Sequence, residues 1–262
     1  MSKIKRVLKG PQKSPPDFTV VIVNFRSENF VDKAVSSFQQ AHQEAQASYE
    51  IIVVDNRVND SFGEANNLAV QQSFGAYLLF LNPDTICKQN ILDPLQKKLR
   101  EKGVGAVAPQ LILSNGVAQN FAYGDFPSLR QIFGRRMRRA PKQAGGDDCV
   151  QADWVSGACL AVRREHFERL SGFSPEFKLY FEDVDLCKKL TQIKLRNFVL
   201  PKVKIIHLGG EREEVGRCRR ERYFEAQKQY FAKWQPNILP LFLFLRWPYR
   251  VYCWFKDQDE AF

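Results

Sequence analysis

The chain has no Cys-x-x-Cys pair, no glycine-rich loop after its first hydrophobic segment, no visible internal repeat and no recognised nucleic-acid-binding motif. Its six cysteines, Cys87, Cys149, Cys159, Cys187, Cys218 and Cys253, are scattered. That scatter argues against a zinc site or a disulfide frame and for buried thiols in a reducing compartment. The start of the chain is basic and proline-containing, with no apolar run behind it, so residues 1–17 read as a flexible basic leader and not as a signal peptide. A sugar nucleotidyltransferase would need glycines with Arg and Lys after the first strand, where this chain has Asn24-Phe25-Arg26-Ser27. The net charge of +10 implies attraction to polyanions, but without a binding motif nucleic acid is not expected as a partner.

Against these absences stand 262 residues, 44% of them hydrophobic, with 21 phenylalanines. That is enough to bury one α/β core with a C-terminal extension. Phe18–Asn24 is continuously apolar and β-branched, as a strand buried on both faces should be. Helical spacing follows over Ser27–Gln46, then a second strand at Glu50–Asp55, a short helix at Ala65–Ser73 and a third strand at Ala76–Leu81. Gln89–Glu101 predicts a helix and Val104–Ala108 a fourth strand. This alternation argues for a parallel sheet flanked by helices, whose ligands bind beyond the carboxyl ends of the strands. Asn24, Asp55 and Asp84 stand at those ends.

The pattern then loosens. Gln110–Val117 reads as a hairpin around Ser114-Asn115-Gly116, and Phe126–Gly146, with Arg135, Arg136, Arg138 and Arg139, as a mobile loop. Trp154–Val162 predicts a strand, Arg164–Leu170 and Asp183–Gln192 helices, Phe198–Leu200 and Lys204–His207 two short strands, and Arg217–Trp234 a basic, aromatic helix.

Four places carry groups fit for chemistry: Asp55 closing a buried strand, Asn82-Pro83-Asp84-Thr85 closing the next, Glu182-Asp183-Val184-Asp185 opening a helix, and His207 before Gly209-Gly210. Each has an ordinary structural explanation when taken singly. Asn-Pro-Asp is a common turn, and an acid at a helix start is usually a cap that complements the dipole.

In this order and spacing they resemble family-2 glycosyltransferases, most closely the rhamnosyltransferase-like branch of bacterial polysaccharide synthesis. The matching stretches are VVIVNF (20–25), IIVVDN (51–56), ANN (65–67), YLLFLNPDT (77–85), VGAVAPQL (104–111), DWVSGACLAVRREHF (153–167), GFSPEFKLYFEDVDLCKKL (172–190) and VKIIHLGG (203–210). Asn82 stands where many members have a first Asp, and Glu211 where a small hydroxyl residue is usual.

The resemblance implies a GT-A fold over residues 18–210, with a donor half over about 18–110, an acceptor half over about 111–210, and a helical extension over 211–262. It implies donor contacts at Asn24, Asp55, Asn67, Asn82 and Asp84, and a divalent metal, Mg2+ or Mn2+, at Asp84 and His207. It makes Asp183 the catalytic base, with Trp154, Gly157 and Glu182 shaping the acceptor and sugar pocket. Core packing is the other reading of Trp154. The implied activity is inverting transfer of a sugar, with rhamnose suggested, from a nucleotide-diphosphate donor to a saccharide or lipid-linked acceptor. A relative that keeps the fold but has lost turnover, and serves as a scaffold, is the competing expectation.

Ile238–Phe255 is apolar and aromatic but broken by Pro240, Arg246, Pro248 and Arg250. A spanning helix needs roughly 20 apolar residues, and an arginine at mid-bilayer costs about 2.5–3.5 kcal/mol. Two readings remain for 238–255: a segment lying peripherally on the inner face of the cytoplasmic membrane, or one packed on its own domain or a second copy of the chain.

Overall fold

The computed structural model describes residues 3–8, 15–25, 27–56, 61–128, 142–143, 149–211 and 217–246. The elements in chain order are strand β1 (Lys3–Leu8), β2 (Phe18–Asn24), helix α1 (Glu28–Ala41), β3 (Tyr49–Asp55), α2 (Phe62–Gln71), β4 (Tyr77–Leu81), β5 (Thr85–Ile86), α3 (Leu92–Leu99) and β6 (Val104–Ile112). There follow β7 (Tyr123–Gly124), β8 (Lys142–Gln143), β9 (Val150–Ala152), β10 (Trp154–Val155), β11 (Cys159–Arg163), α4 (Arg164–Arg169), α5 (Glu182–Gln192), β12 (Arg196–His207) and α6 (Arg217–Trp234). The arginines at 135–139 and the tail from 247 lie outside the described residues.

The main sheet runs β1-β3-β2-β4-β11-β6-β12-β9-β8, with β5 joined to β12. β2 pairs in parallel with both β3 and β4, and β6 with β12. β11 lies antiparallel between β4 and β6. The five long strands β3, β2, β4, β6 and β12 thus point one way, and their carboxyl ends share one rim. Because β11 runs against them, it begins at that rim, with Cys159 opposite Leu81.

Strand alternation decides the core. From β2, Phe18, Val20 and Ile22 face one layer with Val31 and Phe38 of α1 and Leu92, Leu95 and Leu99 of α3. Val21 and Val23 face the other, with Ala65, Ala69 and Val70 of α2 and Leu186 and Leu190 of α5. A third cluster, Phe177, Phe181, Val184, Ala226 and Tyr230, seats α6 on α5. Ser61 caps α2 by accepting from the Glu64 amide, so this short helix starts at a defined residue close behind the β3 end.

Three expectations are corrected. Residues 3–8, read as flexible leader, form an edge strand antiparallel to β3, with Lys3 opposite Asp55. The strand expected over 154–162 breaks at Ser156-Gly157-Ala158, where the Cys159 amide turns back to the Ser156 carbonyl. The two short strands near the C-terminal end are one, β12, whose register slips between Leu200 and Lys204; Pro201 offers no N–H to the ladder there. The hairpin around 114–116 is present, closed by the Leu113 amide on the Val117 carbonyl. Cys87, Cys159 and Cys187 are buried free thiols.

Candidate active site

The sheet rim brings the sequence motifs into a row. Asp55 and Asn24 end neighbouring strands and are register partners, and the Asn56 amide bonds to the Asn24 carbonyl. Asn24 is buried, and its Oδ1 accepts from both the amide and the hydroxyl of Ser27. The β4 end comes next. There the Asn82 amide donates to the Ala158 carbonyl at 2.9 Å, and the Thr85 hydroxyl donates back to the Asn82 carbonyl at 2.7 Å.

β5 then crosses to pair with the end of β12, placing Thr85 opposite His207. Asp84 Oδ1 lies 3.3 Å from His207 Nε2, and Asn82 Nδ2 lies 3.4 Å from the same nitrogen. On the far side of the ring, His207 Nδ1 is 2.9 Å from Gln119 Oε1. A carbonyl oxygen can only accept, so a proton on Nδ1 suits Gln119, and in that neutral tautomer the Nε2 lone pair would face Asn82 and Asp84. Gly209 completes the cradle: a Cβ there would overlap Asp84 Oδ2 and stand 3.3 Å from His207 Nε2.

This pair fits a divalent cation. Two ligands at about 2.0–2.2 Å from one ion and at right angles lie about 3 Å apart, and carboxylate with neutral imidazole is a donor set such ions accept. Among the described residues no group of three or more His, Cys, Asp and Glu gathers for a metal.

Asp183 reaches the same row through the turn that starts β11. Its Oδ2 accepts from the Gly157 amide at 2.8 Å, and its Oδ1 from the Val184 amide at 2.8 Å. Ala158, the next residue, holds Asn82. One short turn therefore binds the 82–84 segment on one side and Asp183 on the other. Burial raises the pKa of Asp183, and the two backbone donors partly offset it. Its neighbour Glu182 is 7% exposed, and its Oε2 has no hydrogen bond among the described residues. Burial first, and then the charge of Asp183, push Glu182 up to about 8.

The third acid of the motif does something else. Asp185 is wholly buried; its Oδ2 accepts from the Ser174 hydroxyl at 2.6 Å, its Oδ1 from Trp234 Nε1 at 2.9 Å, and Lys233 Nζ is 2.9 Å from Oδ1. It ties α5 to α6.

Two expected site residues have partners elsewhere in the chain. Asn67 Nδ2 donates to the Phe173 carbonyl and its Oδ1 accepts from the Phe173 amide, at 2.8 and 2.9 Å. A mid-helix asparagine whose amide is satisfied at both ends is a clasp between α2 and the Gly172-Phe173 turn. Trp154 packs against the third core cluster, and its indole N–H is bonded to the Asp125 carbonyl. Gln119 was missed, because it meets His207 from 88 positions away and no motif marks it.

The model of the family described as Glycosyl transferase family 2 matches residues 3–171. Rhamnosyltransferase WbbL of Escherichia coli is 26% identical over 223 residues, covering 72% of this chain and 82% of that protein. N-acetylglucosaminyl-diphospho-decaprenol L-rhamnosyltransferase of Mycobacterium tuberculosis is 37% identical over 54 residues, covering 21% of this chain and 18% of that one. Among solved structures, mannosyltransferase PcManGT from Pyrobaculum calidifontis, in complex with GDP-Man and Mn2+, superposes with a TM-score of 0.55 at 16% identity, over 83% of this chain and 64% of that chain. Family match, relatives and architecture agree: the chain belongs to glycosyltransferase family 2, in its rhamnosyltransferase-like branch, and its fold is GT-A.

Proposed function

We propose that this chain is a metal-dependent, inverting glycosyltransferase. In this reading it moves a sugar, with rhamnose the leading candidate, from a nucleotide-diphosphate carrier to a hydroxyl of a saccharide or lipid-linked acceptor. The observation that carries the proposal is the turn at Gly157-Ala158, bonded on one side to Asn82 and on the other to Asp183. An acid–metal pair and a base on either side of one turn suit a displacement in which the alcohol arrives opposite the departing diphosphate.

In this reading Asp55, Asn24 and Asn82 line the donor end of the rim, and Asp84 and His207 would hold Mg2+ or Mn2+. Held there, such a cation would supply positive charge against the charge that grows on the leaving diphosphate. Asp183 takes the proton from the acceptor hydroxyl as its oxygen bonds to the anomeric carbon. The bond from that carbon to the diphosphate oxygen breaks, the nucleotide diphosphate departs, and configuration at the carbon inverts. Each Asp183 oxygen accepts one backbone N–H and keeps a further lone pair for this proton. A raised pKa makes the carboxylate a better base at neutral pH. Gly157 orients the base, and Trp154 walls the acceptor side. The donor and acceptor halves divide near residue 110, and α6 packs on the acceptor half through Ala226 and Tyr230.

Replacing Asp183 by Asn removes the base and keeps the volume. Transfer from a nucleotide-sugar should drop by about 10²–10⁴-fold, while thermal stabilisation by nucleotide diphosphate with Mn2+ stays near wild type. Near-normal turnover would refute the assignment.

For the tail, the membrane reading gains from Leu241 and Phe244, which are 48% and 73% exposed while Phe242 between them is buried against Phe224 and Phe231. Among the described residues no helix is long and apolar enough to cross a membrane. A Leu241→Ser, Phe244→Ser double variant should lose flotation with anionic vesicles, and unchanged recovery would leave the second-copy reading.

A further inference from the structure

The third core cluster shows an aromatic surface that the motifs do not account for. Tyr180 and Phe181 both have left-handed backbones, with φ of 70° and 69°. Bulky residues rarely adopt this conformation, which is strained and persists only where the surroundings hold it. Phe181 turns inward, 5% exposed, and packs on Tyr230 at 5.6 Å between ring centres. Tyr180 remains half-buried and meets Tyr223 of α6 edge-on, at 5.7 Å and 63°. Tyr223 also touches Phe181, at 5.3 Å. Yet Tyr223 stays 47% exposed, while Tyr230 and Phe231 on the same helix are wholly buried.

We propose that Tyr180 and Tyr223 form a platform for the acceptor, taking the C–H-rich face of a pyranose ring and presenting its hydroxyl to Asp183. The proposal rests on the glycosyltransferase reading and names a binding surface for it.

Three observations lead there. Position comes first: Tyr223 packs on both Tyr180 and Phe181, and Phe181 is the cap of the helix whose second residue is Asp183. Burial of the Tyr223 hydroxyl end raises its pKa most, with Arg246 lowering it and Asp183 adding to the rise, while the residue as a whole stays 47% exposed. Chemistry is the second. An aromatic face with a hydroxyl tip offers dispersion to sugar C–H groups and hydrogen bonding to sugar hydroxyls. The third is side. Asp55, Asn24 and Asp84 follow one another along β3, β2 and β4, whereas Asp183 is reached only beyond β4, through the turn before β11. A ring on Tyr223 would approach the reaction from the side opposite the donor, as an acceptor must. The strained pair at 180–181 then has a use, holding Tyr180 outward while Phe181 anchors the turn.

The test is saturation-transfer NMR on the full chain with a panel of methyl pyranosides (gluco, galacto, manno, rhamno and N-acetylglucosaminyl), run beside a thermal-shift titration with nucleotide diphosphate and Mn2+. At least one glycoside should receive saturation from wild-type protein. Tyr223→Ala should weaken that signal roughly tenfold, the upper end of what one aromatic face contributes, while nucleotide stabilisation persists. Tyr223→Phe, which keeps the face and the brace on Phe181, should retain the signal. Equal saturation in wild type and Tyr223→Ala, or none from any pyranoside in wild type, overturns the platform. Failure of nucleotide diphosphate to stabilise any variant overturns the glycosyltransferase reading instead. Should Tyr223→Ala fail to fold, Tyr223→Leu, which also lacks the ring, takes its place, with the same outcomes.

Discussion

Glu182 offers a sharp test of the electrostatics at the α5 start. Its carboxyl is 7% exposed, one oxygen lacks a hydrogen bond among the described residues, and Asp183 is adjacent. These push its pKa from an ordinary 4.5 up to about 8. In the unfolded chain the group ionises near its ordinary value. Between the two values the folded state therefore holds a proton that the unfolded state has released. Stability from this residue is full below pH 4.5 and is lost as pH rises toward 8.

At about 1.36 kcal/mol per pH unit, the loss reaches about 3 kcal/mol by pH 7 and about 5 kcal/mol once the interval is crossed. Glu182→Gln keeps the volume and cannot ionise, so it removes the slope and leaves only a constant offset from its buried amide. Melting temperatures of wild type and variant should be measured from pH 4.5 to 8.5. The variant should gain on wild type by roughly 6–12 °C between pH 4.5 and 7. Parallel curves would mean that Glu182 is ionised in the folded protein, and the account of this helix start would fail.

Gly209→Ala should leave the fold nearly as stable, because its new Cβ meets side-chain ends, the Asp84 carboxylate and, at 3.3 Å, His207 Nε2; by displacing the carboxylate it should weaken Mn2+-promoted binding of nucleotide diphosphate about 10–100-fold, read by calorimetry. Trp234→Phe removes one donor from the buried Asp185 carboxylate and should cost about 1–3 kcal/mol in urea unfolding. Burial lowers the pKa of His42, whose Nδ1 donates to the Phe38 carbonyl and whose Nε2 accepts from the Ile91 amide. Its stabilisation is present above pH 6.5 and is lost as pH falls below that value, so a His42→Gln variant should show a flatter melting curve there than wild type.

The donor side was legible because its signals are local. Continuous apolar runs, β-branched in β2 and β3 and leucine-rich in β4, announced these strands, and a polar residue closing each run marked the rim. What sequence could not supply was the partner of each strand. β11 enters between β4 and β6 from about 80 positions beyond β4. Its apolar run fits a central strand of either direction, since both faces are covered in each case. The edge strand β1 was hidden because a basic, proline-flanked segment carries no alternation strong enough to outweigh its charge; the β3 edge supplies what its composition does not. The Asn67 clasp was not legible either, because the backbone that meets its amide lies 106 positions away.

The acidic motif shows why chain position alone could not assign roles. At about 100° of helix per residue, Asp183 stands about 100° round α5 from Glu182 and about 200° from Asp185. The three carboxyls therefore face different surroundings, although three positions hold them all. Asp185 meets the hydroxyl, indole and ammonium groups of Ser174, Trp234 and Lys233 and is fixed in the interior. Asp183 meets two backbone amides and keeps lone pairs to spare. Glu182 meets protein without a full set of donors and holds its proton instead. Only the middle one combines a fixed orientation with capacity to accept, and part of what fixes it comes from Gly157, in the turn before β11. A substitution that moves the 156–158 turn should therefore damage the base and the Asn82 anchor together, whereas one at Asp185 should loosen α6 first.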